Sequence, residues 1–132
     1  MRVFYAHPSS ESTRGIFSAV LELSDLFTQR GSTGAQIVAA RKDYDTNFRG
    51  DWDEWAESTT TAIHAVTRKP RYNLFVIPGR YCGRATARIV QSALEAGRPV
   101  FTWDRDQSLQ KVTQIEVSDP DDWTTGYHLL VE

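Results

Sequence analysis

The chain has 132 residues, one cysteine and a formal net charge of −2, with hydrophobic residues at 40% and charged residues at 24%. That length suits one domain spanning residues 1–132, with a core of several strands and helices. The composition excludes a membrane span, for want of ~20 consecutive apolar residues, an internal disulfide, and a generally basic surface for duplex nucleic acid; with no leader-like N-terminal pattern, the expected location is the cytoplasm.

RVFYAHP reads as a buried strand, with Val3, Phe4, Tyr5 and Ala6 as an apolar run ended by Pro8. SSEST then supplies cap candidates for a helix whose apolar stripe is Ile16, Val20, Leu23 and Phe27, widened by Phe17 and Leu21. Gly31 is its natural stop, because glycine enters the left-handed region cheaply. AQIVAA is a second strand. After the polar stretch RKDYDTNFRGD, a second helix is expected, with Trp52, Trp55, Ala56, Thr59, Ile63 and Val66 on one face and Pro70 as its stop. Acids crowd its start and Arg68 and Lys69 its end, as the helix dipole favours. YNLFVIP is the third and most apolar strand. GRYCGRAT leads into a third helix with Ile89, Val90, Ala93 and Leu94 as its inner face and Gly97 as its stop. PVFTWD, KVTQIEVS and GYHLLVE read as the remaining strands.

Strands alternating with helices across short links imply right-handed crossovers and a mainly parallel sheet. The expected fold is α/β, a single three-layer domain of Rossmann-like or flavodoxin-like form. Such sheets bind ligands outside the carboxyl ends of their strands, where strand order reverses. That rule selects three loops: AHPSSES, the residues after AQIVAA, and PGRYCGRAT.

The third loop has the composition of an anion site. Gly79 and Gly83 allow close backbone approach, Thr86 sits where a hydroxyl caps the helix or meets a phosphate, and Arg80, Arg84 and Arg88 bring positive charge. The plainer alternative is a βα turn with exposed arginines, since neither GxxxxGK[ST] nor GxGxxG is present. In the first loop Tyr5, His7, Ser9 and Glu11 follow a buried strand, and His7 with Glu11 forms a candidate acid–base pair. The alternative there is a serine cap, with His7 bonded to backbone. Asp51, Trp52 and Asp53 suit stacking on a base while an acid bonds a sugar hydroxyl; equally, the tryptophans are core and Asp51 a cap. His64 and His128 read as structural. The three histidines and Cys82 give no metal-ligand spacing, and no serine sits in a triad motif. Cys82 lies in a basic loop, the setting that favours a thiolate.

The segment ATARIVQSALEAGRPVFTW, with the order of elements, resembles the nucleoside 2-deoxyribosyltransferase-like superfamily. Its members open on a strand such as YLAGP, which RVFYAHP resembles. They continue through an apolar strand, a loop with a GT-x-x-E-like pattern, a helix and then G-K-P-V. Thr86 matches the threonine, and Gly97, Arg98, Pro99 and Val100 match the ending. The resemblance covers most of the chain in element order and this one stretch in motif. It implies binding of a nucleoside or nucleotide at the strand ends, with cleavage or transfer of the N-glycosidic bond. It also implies a homo-oligomer whose copies complete each other's sites with C-terminal residues, here Trp123, Tyr127 and the last strand.

The departures from the pattern are specific. Aligned backward from Gly97 without a gap, the family's nucleophilic glutamate falls on Ile89, beside Arg88. Ala85 replaces the glycine before the threonine, and the preceding loop has no matching aspartate. A covalent glycosyl intermediate needs a carboxylate, leaving Glu11, Asp51 and Asp53 as candidates from other strand ends. Two expectations follow. One is an N-glycosidic hydrolase or deoxyribosyltransferase-like enzyme with a relocated carboxylate, its arginines favouring 5′-phosphorylated substrates. The other is a nucleotide-binding or sequestering module without the nucleophile. Neither requires a metal or cofactor.

Overall fold

A computed structural model describes residues 1–7, 11–32, 34–39, 72–105, 109–117 and 127–132. Among these residues the elements run β1 (Arg2–Tyr5), α1 (Thr13–Gln29), β2 (Gln36–Ala39), β3 (Leu74–Pro78), β4 (Tyr81–Cys82), α2 (Arg84–Glu95), β5 (Val100–Trp103), β6 (Gln110–Val117) and β7 (Tyr127–Val131). The expected helix over the tryptophan-rich stretch from Trp52 lies outside the described residues, as do His64 and Trp123.

The strands form a seven-stranded sheet in the order β2-β1-β3-β5-β6-β7-β4. Its first four strands are parallel, with Val3 opposite both Ile37 and Leu74 and Val76 opposite Phe101. Beyond β5 every pairing is antiparallel. The parallel sheet is therefore its core, and β6, β7 and β4 extend it by antiparallel pairing. The link from Trp103 to Gln110 accounts for the change: a parallel crossover needs a dozen or more residues, and this one is shorter. The strand Tyr81–Cys82 was not expected from sequence. Two residues carry too little pattern to read, and only pairing with His128 and Tyr127 reveals them.

Alternation along β1 divides the core. Val3 and Tyr5 pack with Ala19, Leu23 and Phe27 of α1, whereas Phe4 and Ala6 pack with Ile89, Val90 and Ala93 of α2. The two helices therefore lie against opposite faces of the sheet. Phe4 meets Tyr72 edge-on at 5.1 Å and Phe75 at 5.6 Å, geometry that aromatic quadrupoles favour. None of the described helices is long and apolar enough to cross a membrane.

Both helices begin and end as their residues dictate. Ser12 caps α1, its hydroxyl accepting from the Gly15 N–H at 3.0 Å. Gly31 (φ +88°) and Gly97 (φ +72°) occupy the left-handed position after each helix. There the Ser32 N–H bonds the Phe27 carbonyl and the Arg98 N–H the Ala93 carbonyl, both at 2.9 Å, which is the Schellman arrangement.

One sequence expectation is corrected on α1. Phe17 and Leu21 do not widen the buried stripe; they are 66% and 53% exposed. The residues that meet the sheet centre on Ala19, Leu23 and Phe27, placing positions 17 and 21 roughly 120–160° away around the helix. Leu23→Ala should therefore cost about 2–5 kcal/mol in denaturant unfolding, whereas Leu21→Ala should change stability by less than ~0.5 kcal/mol.

Candidate functional site

The chain leaves β1 through α1 toward β2, and leaves β3 through α2 toward β5. These connections diverge between adjacent strands, which makes the carboxyl ends of β1 and β3 the topological switch point, the place where open α/β sheets bind ligands. Ala6 and His7 stand at one rim and Gly79 at the other. The Ala6 N–H bonds the Val76 carbonyl between β1 and β3, and the Gly79 N–H bonds the Trp103 carbonyl between β3 and β5, each at 3.0 Å.

The described polar groups gather on the α1 side. Tyr5 is almost wholly buried, and its phenol donates to Glu11 Oε2 at 3.1 Å, with Oε1 at 3.4 Å. Burial foremost, then the negative charge and hydrogen bond of Glu11, hold this phenol well above its ordinary range, while Arg105 acts in the opposite direction. Tyr5 therefore keeps its proton at neutral pH, and its hydrogen bond orients a carboxylate whose side chain is 18% exposed. His7 is buried beside it, with ring centroids 5.9 Å apart. The contacts resolved for Glu11 run to Tyr5 and Arg105, a tyrosine–carboxylate–arginine arrangement.

Arg105 joins the end of β5 to the start of α1. Its Nη2 donates to the Gly15 carbonyl at 3.1 Å and lies 3.8 Å from Glu11 Oε1, while its Nε lies 3.6 Å from Glu22 Oε2. The guanidinium carbon sits 5.7 Å from the Trp103 ring centroid, and Trp103 meets Tyr5 edge-on at 6.3 Å. The guanidinium is close to two carboxylates and one carbonyl, yet its side chain remains 43% exposed. At that exposure each ion pair contributes little to stability; the arrangement's main effect is to fix where Glu11 points.

The opposite rim is plainer than its sequence implies. Gly79 has φ +72°, and nothing lies within 4 Å of the place a Cβ would occupy, so the glycine serves the turn and leaves open space beside it. The Arg80 guanidinium donates to the Gln110 side chain on β6, and its carbonyl accepts from the Leu129 N–H at 2.8 Å. Gly83 caps α2 without a side-chain bond. Thr86, expected as a cap or phosphate ligand, is not the cap, which is Gly83, and lies buried in the first turn of α2. Arg84 opens that helix and Arg88 is half-buried one turn on. Ser9, Asp51, Trp52 and Asp53 lie outside the described residues.

Two further expectations meet the structure directly. Ile89 is 6% exposed within the cluster between α2 and the sheet, so that position supplies core packing and no nucleophile. Cys82 is buried in the same cluster, and desolvation pushes its pKa up to about 12. Burial thus overrides the neighbouring arginines that would favour a thiolate. His128 stacks on Tyr81 at 4.8 Å within the β4–β7 pairing, a structural setting.

Sequence reasoning missed Arg105, Trp103 and Glu22. Trp103 and Arg105 stand at the end of the strand PVFTWD, and the carboxyl-end rule applied to that strand as well would have selected WDRDQ. Glu22 carries no comparable signal. No protein-family model, curated protein or solved structure matches the chain.

Cys82 supplies a test of this local chemistry. A thiol with an ordinary value of 9.0 and a folded value of about 12 keeps its proton longer in the native state. Its contribution to stability is full below pH 9 and falls as pH rises between those values, because the unfolded chain then binds fewer protons. Native protein at pH 8 should alkylate with iodoacetamide at least about tenfold more slowly than urea-unfolded protein, as followed by intact mass.

Proposed function

We propose that this chain binds a nucleoside or its 5′-monophosphate in the crevice between the carboxyl ends of β1 and β3, and that Glu11 acts on the sugar. The observation that carries the reading is the Glu11 carboxylate, sheltered at a strand end and oriented by a buried phenol 3.1 Å away. The strand order β2-β1-β3-β5, with helices on both faces, supports a three-layer Rossmann-like or flavodoxin-like arrangement. The motif likeness around Thr86 and Gly97 then favours a nucleoside 2-deoxyribosyltransferase-like protein.

In this scheme the ribose lies over β1, with the base toward His7 and the 5′-phosphate toward Gly79, Gly83 and the start of α2. A Glu11 oxygen bonds to the anomeric carbon as the N-glycosidic bond breaks. The bonding pair leaves with the base, which takes a proton, and water or a second base then displaces the carboxylate from C1′. Tyr5 holds the attacking carboxylate through its hydrogen bond. The chemistry requires no resident metal or cofactor, and the lone buried thiol suits a cytoplasmic setting.

A second reading rests on Arg105. A carboxylate bonded to a phenol and facing a guanidinium at 3.8 Å is a weaker nucleophile than a free one, and Ile89 offers no replacement. The chain would then bind or sequester the nucleotide without turning it over.

Incubation with nucleosides and their 5′-monophosphates, with chromatography of the free base, separates the two readings. For an enzyme, base accumulates above a no-protein control, and Glu11→Gln reduces the rate by roughly 10³-fold or more while the monophosphate still raises the Tm. For a binding module, the Tm rises with monophosphate and no base appears. The absence of both base release and a Tm shift at millimolar ligand would refute both.

A further inference from the structure

The outward face of α1 carries two large apolar residues that the fold does not use. Among the described residues the exposed large hydrophobics are Met1, Phe17, Leu21 and Tyr81. Tyr81 is stacked on His128, and Met1 precedes the first strand. Phe17 and Leu21 stand one helical turn apart on the same side of α1, pointing away from the sheet that holds Ala19, Leu23 and Phe27. Both side chains are more than half exposed on an otherwise well-patterned amphipathic helix, an apolar pair that the fold leaves uncovered.

The charges bordering this pair identify its partner. Arg14 lies on the same stripe one turn before Phe17, and Asp25 one turn after Leu21; both are exposed. Along the helix, the midpoint of Arg14 and Asp25 falls within about half a residue of the midpoint of Phe17 and Leu21, less than ~1 Å of rise. A stripe with a cation at one end, an anion at the other and an apolar pair centred between them is complementary to itself when reversed. A two-fold axis through that centre sets Phe17 against Leu21 of a second copy and Arg14 against its Asp25, twice over.

We propose that this face binds the same face of a second copy, giving an antiparallel α1–α1 dimer about a two-fold axis. This locates an interface on α1, away from the C-terminal strand to which the family resemblance points. It is independent of the functional reading, since neither Arg14, Phe17, Leu21 nor Asp25 belongs to the crevice. With so short an apolar stripe the dimer belongs to the weak, concentration-dependent class.

Sedimentation equilibrium of the full chain from micromolar to several hundred micromolar tests it. The expected result is a reversible monomer–dimer equilibrium that Phe17→Glu weakens by at least about tenfold. Arg14→Glu and Asp25→Arg alone should each weaken it, because each sets like charges opposite one another, and the double variant Arg14→Glu/Asp25→Arg should restore it. Circular dichroism and Tm verify folding of each variant, the substituted side chains all being solvent-facing. A monomer throughout the range, a dimer unchanged by Phe17→Glu, or no recovery in the double reversal would overturn the proposal.

Discussion

Strand β1 is hydrogen-bonded in parallel on both edges and packed on both faces, and the rest of the molecule is arranged around that constraint. Its side chains alternate between two helices: Val3 and Tyr5 toward α1, Phe4 and Ala6 toward α2. A strand so enclosed cannot shift by one residue without exchanging Tyr5 with an apolar partner on every side. The Tyr5 ring therefore has one place to be, and its hydroxyl emerges where the strand ends. Fold and candidate chemistry meet in one side chain, whose ring belongs to the core and whose oxygen belongs to the site.

The same constraint explains why Glu11 is well positioned although it lies outside regular structure. Three elements converge on it: the phenol from β1, the guanidinium from the end of β5 and the capped start of α1, where Ser12 follows immediately. Arg105 bonds the Gly15 carbonyl as well as facing Glu11 and Glu22, so it links helix and sheet at the rim of the crevice. Catalysis by a carboxylate depends on such orientation more than on the residue alone. Here orientation and competing charge come from the same neighbours, which is why the two functional readings differ over turnover and agree on location.

Elements with several residues of pattern were legible from the sequence. The apolar strands RVFYAHP and YNLFVIP, the glycine stops at Gly31 and Gly97, and the inner face Ile89, Val90, Ala93 all follow from periodicity and backbone preference. What failed was whatever depends on partners distant in the chain. Phe17 and Leu21 fit a widened stripe on paper, yet the small Ala19 is the residue that meets the sheet. Tyr81 and Cys82 read as an open anion loop, yet pairing with β7 makes them a strand and buries the thiol. In the site, Glu11 and Tyr5 were visible because they flank an obvious strand. Glu22 was not, because its described contact with the site runs through Arg105, far along the chain.

The central claim is that ligand enters between the ends of β1 and β3, and an amide chemical-shift titration of isotope-labelled protein with a purine or pyrimidine 5′-monophosphate tests it most directly. Binding there gives saturable shifts at Ala6, His7, Glu11, Gly79, Gly83 and Arg105, with little change in β6 and β7. Shifts confined to β6 and β7, or none at millimolar ligand, would contradict it.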